Sequence, residues 1–236
     1  MRPSTAMLLA AGLGTRMRPL TDHRPKPLVK VAGKSLIDWT LDQLAAVAVP
    51  RAVVNVHHFA PMLTAHLKTR TAPAIEISDE SEQLLDTGGG VAKALPLLGN
   101  DAFFVLNCDA IIRDHTTPFL DRLTAAWDSD RLDVLMLVHP RATAHGFDGP
   151  GDFFVDGAGA MTRRGTALAA PYVYAGAYIL HPRLLAGEGV APFSMNKIWD
   201  RAIAAGRMKA LVHDGAWYHV GTPEAVGETE KLLATA

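Results

Sequence analysis

The chain has 236 residues, 49% hydrophobic and 20% charged, with a formal net charge of −1. That balance supports a sizeable core and excludes a disordered chain, a basic nucleic-acid surface and, with no apolar run near the roughly 20 residues a bilayer requires, a membrane-spanning helix. The single cysteine, Cys108, excludes an internal disulfide and fits a reducing compartment, so a cytoplasmic protein is expected.

In chain order, "AMLLAA" reads as a buried strand rather than a signal peptide, because the short apolar stretch runs into a glycine turn flanked by charge. "SLIDWTLDQLAAVAV" has helical spacing, with Ser35 as N-cap and Asp38 three residues on as its capping-box partner. Then follow a strand at "AVVNVHH", a helix at "APMLTAHLKT", a strand at "AIEIS" and a helix at "GGVAKALPLL", begun at a glycine turn. "AFFVLN" is a strand, "TTPFLDRLTAAW" a helix and "DVLMLVH" a strand. Beyond His139 the rhythm weakens, and the Gly-rich stretch "PRATAHGFDGPGDFFVDGAGAMTRRGTA" suggests a hairpin layer over the sheet edge. "PYVYAGAYIL" is a long strand, "SMNKIWDRAIAAG" a helix, "MKALVH" a strand and "PEAVGETEKLLAT" a closing helix. This alternation predicts an α/β fold: a Rossmann-like, mostly parallel sheet flanked by helices. With no repeat or low-complexity linker, one domain over residues 1–236 is expected.

Gly12 and Gly14 end the first strand, and ligands of open parallel sheets bind outside such carboxyl ends. Glycines there let backbone N–H groups approach a phosphate. The dinucleotide fingerprint fails at Met17, where its third glycine would stand. The P-loop pattern fails at Leu28, and Gly33 with Lys34 reads better as a hairpin-like turn before a helix. What remains is a glycine turn followed by Arg16, a planar fork for phosphate oxygens, and by Lys26, a point charge whose backbone is stiffened by Pro25 and Pro27.

The stretch "LAAGLGTRMRPLTDHRPKPLVKVAGKSLI" closely resembles the N-terminal signature of sugar-1-phosphate nucleotidyltransferases, G-x-G-T-R-x-x-P-L-T followed by P-K-P. Gly12, Gly14, Thr15, Arg16, Pro19, Leu20, Thr21, Pro25, Lys26 and Pro27 supply every element. The resemblance implies the nucleotide-diphospho-sugar transferase (GT-A-like) fold. It also implies that Ala11, Gly12, Gly14, Thr15 and Arg16 cradle the triphosphate while Lys26 contacts the α-phosphate. A nucleotide-binding part would span about residues 1–140 and a sugar-binding part about residues 141–236.

"AFFVLNCDAII" sets Asn107, Cys108 and Asp109 at another strand end. A carboxylate there suits Mg²⁺, a hard ion usually held by one or two carboxylates plus substrate phosphates. By resemblance Asp109 binds the metal and Asn107 lies beside the nucleotide, which makes Arg16, Lys26 and Asp109 the candidate catalytic residues. In "DESEQLLDTGGGVAKAL", the T-G-G-G form resembles the N-acetylmuramate-1-phosphate uridylyltransferase subgroup and assigns Thr87, Gly88 and Gly89 to the base. Glu80 is either near the base or ribose, or a solvated loop carboxylate.

"HGFDGPGDFFV" and "YVYAGAYILHP" resemble sugar-side segments of the same subgroup, giving Asp152 and Gly176 as sugar candidates, with Asn196 in "APFSMNKIWDRAIAAG" as a third. "AWYHVGTPEAV" resembles the closing W-x-D-x-G-T motif, but His219 stands where the second metal-binding Asp is usual. Imidazole suits softer ions than Mg²⁺. His219 therefore binds the metal directly, with Mn²⁺ as the alternative ion, or through water, or leaves the ion to Asp109 and the phosphates. The expected partners are a nucleoside triphosphate, preferably UTP, and a sugar 1-phosphate, with no nucleic acid and no membrane, in a monomer or homodimer. The alternatives are a mannose- or heptose-1-phosphate guanylyltransferase and, from another class, a non-catalytic sugar-nucleotide sensor.

Overall fold

The computed structural model describes residues 2–235. Strand β1 (Thr5–Leu9) is followed by the short hairpin β2 (Lys30–Val31) and β3 (Lys34–Ser35), then helix α1 (Leu36–Ala46). β4 (Arg51–Val56), α2 (Ala60–Leu67), β5 (Ala74–Asp79) and α3 (Asp86–Leu98) come next. β6 (Phe103–Asn107), β7 (Ala110–Arg113), α4 (Phe119–Ala126) and β8 (Val134–Pro140) complete the regular portion. The remainder holds β9 (Phe153–Val155), β10 (Met161–Arg163), β11 (Tyr172–Leu180), α5 (Asn196–Ala204), β12 (Met208–Val212), β13 (Ala216–His219) and α6 (Pro223–Leu233).

Among the described residues, nine strands form one sheet in the order β10-β9-β11-β6-β1-β4-β5, with β8 joined to β11 and β12 to β8. β6, β1, β4 and β5 run parallel, while β11 is antiparallel to both β6 and β8. Alternation along each strand separates two cores. Ala6, Leu8, Phe104 and Leu106 face α1, α2 and α4, where they meet Leu41, Leu63 and Phe119. Met7, Val53, Phe103 and Val105 face α3 and α5, where they meet Val91, Ala94 and Ile198. Burying each such large apolar side chain is worth roughly 1.5–3 kcal/mol, so the central strands are fixed on both faces.

Several local expectations change. The expected hairpin exists, but β9 and β10 extend the sheet edge through β11 rather than layering over it. The glycine triplet lies inside the first turns of α3, not before it. Ser35 does precede α1, yet its hydroxyl donates to the Asp38 carboxylate at 2.5 Å instead of capping a backbone amide. Asp38 is drawn away from the helix end by His66 Nε2 at 2.9 Å and by Arg70. β7 and β13 pair antiparallel, with His219 opposite Ala110, a two-stranded unit too short to show alternation in sequence.

Beside this unit, His139 and His213 are buried with ring centroids 5.7 Å apart. Nε2 of His139 donates to the Thr143 carbonyl and Nε2 of His213 to the carbonyls of Arg113 and Ala216. Neither Nδ1 has a partner among the described residues. Burial pushes both pKa values below the ordinary histidine value; for His213 it outweighs the opposing pull of Asp114 and Asp214, and for His139 it is reinforced by His213 and His145. The unfolded chain therefore takes up protons first as pH falls. The stability these neutral imidazoles contribute is present above about pH 6.5 and is lost as pH drops towards their depressed native values. The thermal midpoint is expected to fall between about pH 7.5 and pH 5; a flat midpoint across that window would contradict it.

Candidate active site

The carboxyl ends of β1 and β6 are neighbours in the sheet, which brings the glycine turn and the acidic strand end to one edge. After β1 the chain passes Gly12 and turns at Gly14, whose φ of 64° favours glycine. A Cβ on Gly14 would sit 3.1 Å from Cβ of Lys26 and 3.1 Å from Cγ2 of Thr21, so this turn also seats the lysine. The Thr21 hydroxyl donates to the Gly14 carbonyl at 2.8 Å and ties the two segments together. Lys26 then opens a single 3-10 turn, Lys26–Leu28, between two buried prolines.

Nζ of Lys26 lies 3.1 Å from Oδ2 of Asp109, with side-chain exposures of 14% and 29%. Both are therefore reachable by a ligand but shielded enough for their charges to act strongly. They line a cavity of about 240 Å³ together with Ala11, Gly12, Asn107 and Thr87. Nothing lies within 4 Å of where a Gly12 Cβ would stand, so the chain there is open to the cavity. Arg16 is exposed and has no ion pair among the described residues. Thr15, next to it, is exposed as well.

Burial pushes the Asp109 carboxyl up, but Lys26, His219 and Arg16 together outweigh it and hold it below the ordinary carboxylate value. Asp109 is thus anionic at neutral pH. Burial pushes His219 below the ordinary histidine value, Lys26 and Arg16 push the same way, and Asp109 opposes them. His219 is therefore neutral, with a lone pair to offer. It is set by the β7–β13 pairing and by its stack on Trp217, with ring centroids 5.8 Å apart. Cys108 is buried, and burial pushes its thiol up, so it fills space as an inert apolar group.

A sequence profile described as nucleotidyl transferase matches residues 5–148, which take in the glycine turn, Lys26, the glycine triplet and Asp109. The chain belongs to the nucleotidyl transferase family. It is 46% identical over 238 residues to the N-acetylmuramate α-1-phosphate uridylyltransferase of Caulobacter vibrioides, covering 99% of this chain and 98% of that protein. It is 30% identical over 230 residues to the enzyme of the same name from Neisseria meningitidis serogroup B, covering 96% and 97%. Among solved structures, a UDP-glucose pyrophosphorylase complexed with UDP-glucose superposes with a TM-score of 0.82 at 17% identity, over 100% of this chain and 99% of that one. That likeness confirms the expected fold.

The glycine triplet stands beside this cavity. Gly88 and Gly89 do not line the cavity; their amides donate to the Phe193 carbonyl at 2.9 and 3.2 Å. A Cβ on Gly88 would meet the Phe193 ring at 2.2 Å, and one on Gly89 the Ala191 carbonyl oxygen at 2.1 Å. These glycines lie against the chain's own segment at residues 191–193. The cavity wall is made instead by Leu84, Asp86 and Thr87. Asp86 holds a φ of 59°, an uncommon value that a short polar side chain tolerates.

The sugar candidates are scattered. Gly176 is buried beside Asn107 at a register shift in β11, with a φ of 89°. The Asp152 carboxylate accepts the Tyr174 N–H at 2.9 Å and is thereby engaged by the backbone of β11. Asn196 is exposed at the start of α5 and its carbonyl accepts from Arg163. Neither Asp152 nor Asn196 lines the cavity. The solvated alternative for Glu80 is overturned, since that residue is fully buried. Sequence reasoning misses its partner Asn55, which lines the cavity. A lone Asn inside the apolar strand "AVVNV" is the available signal, because a buried polar side chain needs a partner.

Proposed function

We propose that this chain transfers a uridylyl group from UTP to N-acetylmuramate 1-phosphate. A phosphate oxygen of the sugar 1-phosphate bonds to the α-phosphorus of UTP, the bond to the bridging oxygen of the β-phosphate breaks, and pyrophosphate leaves. The observation that carries the reaction class is the Lys26–Asp109 pair, 3.1 Å apart in a cavity that also takes in Gly12 and Thr87. The substrate assignment rests on the 46% identical relative.

Such a reaction asks the protein for positioning and charge neutralisation rather than covalent chemistry. Lys26 faces the α-phosphate, where charge builds. Arg16 with the amides of Gly12 and Gly14 holds the leaving β- and γ-phosphates. The wall formed by residues 84–87 meets the base. Residues beyond about 141 supply the sugar side, with Gly176 leaving room beside Asn107.

Among the described residues, no three His, Cys, Asp or Glu side chains gather into a metal cage. Anionic Asp109 and neutral His219 offer two protein ligands, which fits an ion completed by substrate phosphates. Mg²⁺ bound there would neutralise phosphate charge; Mn²⁺ is the alternative that the imidazole favours. No helix among the described residues is long and apolar enough to cross a membrane. The reaction belongs in the cytoplasm on this reading, because UTP is its substrate and the lone cysteine suits a reducing compartment.

Pyrophosphate release, measured for four nucleoside triphosphates crossed with several sugar 1-phosphates, tests this. The expected result is greatest kcat/KM with UTP and N-acetylmuramate 1-phosphate. Preference for GTP with a mannose- or heptose-type sugar would overturn the substrates. No release with any pair, in either metal, would leave the sensor reading.

A further inference from the structure

A buried hydrogen-bond chain links the two walls of the cavity. The amide of Ala10, where β1 enters the glycine turn, donates to Oδ1 of Asn55 at 2.6 Å. Nδ2 of Asn55 donates to Oε1 of Glu80 at 2.7 Å, and Oε2 of Glu80 accepts the amide of Leu85 at 3.1 Å. Leu85 leads directly into Asp86 and Thr87 on the opposite wall. Asn55 is 3% and Glu80 0% exposed. The Glu80 backbone is fixed as well, its carbonyl meeting His57 Nδ1 at 2.7 Å and its amide donating to the Val56 carbonyl at 2.8 Å.

Gly90 makes the room. A Cβ there would stand 2.8 Å from Oε1 of Glu80 and 2.9 Å from Nδ2 of Asn55. A buried carboxylate is costly unless its oxygens are paired. Here each oxygen has one donor, and both donors belong to segments that end in cavity-lining residues. A fold needing only to close this space could do so with apolar side chains at no such cost.

We propose that Glu80, acting through Asn55 and the Leu85 amide, is a positioning residue that holds the phosphate-side and base-side walls in register for the nucleotide. The proposal rests on the reading that this cavity binds a nucleoside triphosphate. The chain has a fixed polarity: amide donor, carbonyl acceptor, amino donor, carboxylate acceptor, amide donor. Glu80→Gln breaks it wherever the new amide points. With its NH₂ toward Leu85, two donors face each other. With its NH₂ toward Asn55, the clash passes to Asn55, and turning Asn55 over only moves it to Ala10. The double variant N55D/E80Q restores every link. One oxygen of the carboxylate introduced at position 55 takes the Ala10 amide, and the other takes the NH₂ introduced at position 80. The remaining amide oxygen at position 80 takes the Leu85 N–H, and the net charge is unchanged.

The experiment titrates UTP by calorimetry and measures KM for UTP, KM for the sugar 1-phosphate and thermal midpoint for wild type, E80Q and N55D/E80Q. E80Q should weaken UTP binding and raise its KM about tenfold, the scale of an unpaired buried polar group. KM for the sugar 1-phosphate should move less than about twofold. N55D/E80Q should return UTP affinity to within about threefold of wild type. Unchanged UTP affinity in E80Q overturns the proposal, and so does a double variant no better than E80Q. If E80Q melts too low to assay, the double variant decides alone. Wild type binding UTP while these outcomes fail sinks only the positioning role; wild type binding no nucleoside triphosphate sinks the function itself.

Discussion

Lys26→Ala is expected to lower kcat by at least about a hundredfold, the scale of losing one preorganised group that stabilises developing charge. The ammonium stands 3.1 Å from Asp109 on the cavity floor and is largely withdrawn from water, so its field is weakly screened there. Its backbone is set by flanking prolines and by the tight Gly14 turn, so the loss is of charge and not of a loop. Asp109→Ala should cost a similar factor. Because the two groups face one another, the double variant K26A/D109A should fall far short of the product of the two losses. Lys26→Arg keeps charge but replaces a point donor with a broad fork in a confined place, and should recover only part of the rate. Pyrophosphate release at saturating substrates reads all four variants, with melting curves to confirm folding. Near-normal turnover in Lys26→Ala would remove the lysine from the reaction.

The central sheet was legible because its signal is local and repeated. β1, β4 and β6 are apolar runs ended by turn residues, and alternation along them sorts side chains such as Phe103 and Phe104 to opposite cores. The glycine turn, Lys26 and Asp109 stood out because they sit at strand ends and match the motifs of the family the chain resembles; residue type and position alone left Asp109 open between a metal ligand and a turn cap. What escaped depended on contacts distant in sequence. β7 and β13, each four residues long, exist only as a pair separated by about a hundred positions. Their pairing sets His219 opposite Ala110, the residue that follows Asp109. The glycine triplet was visible, but what lies against it was not. Its neighbours come from residues 191–193 and from the Asn55–Glu80 pair, which are distant from it in sequence.

Gly89→Ala and Gly12→Ala separate a glycine covered by the chain from one open to the cavity. In an exposed helix the change would stabilise by up to about 1 kcal/mol. Here the new Cβ would lie 2.1 Å from the Ala191 carbonyl oxygen and 3.1 Å from Cβ of Leu85, and a backbone oxygen cannot swing aside as a side-chain tip can. The segment must lift, straining the amide bonds to the Phe193 carbonyl and the 2.9 Å bond from the Met195 amide to the Thr87 hydroxyl. Overpacking of this kind costs roughly 1–3 kcal/mol. For a chain of this size each kcal/mol lowers the midpoint by about 2–4 °C, so a drop of roughly 2–12 °C is expected. Thr87 lies in the cavity wall, so KM for UTP should rise with it. Gly12→Ala is the converse. Its Cβ would enter open space, so melting should match wild type, while a methyl group now stands where the phosphates must approach. Nucleotide affinity should fall without any loss of stability. If Gly12→Ala melts early or Gly89→Ala melts like wild type, the division between a glycine open to ligand and a glycine covered by the chain is wrong.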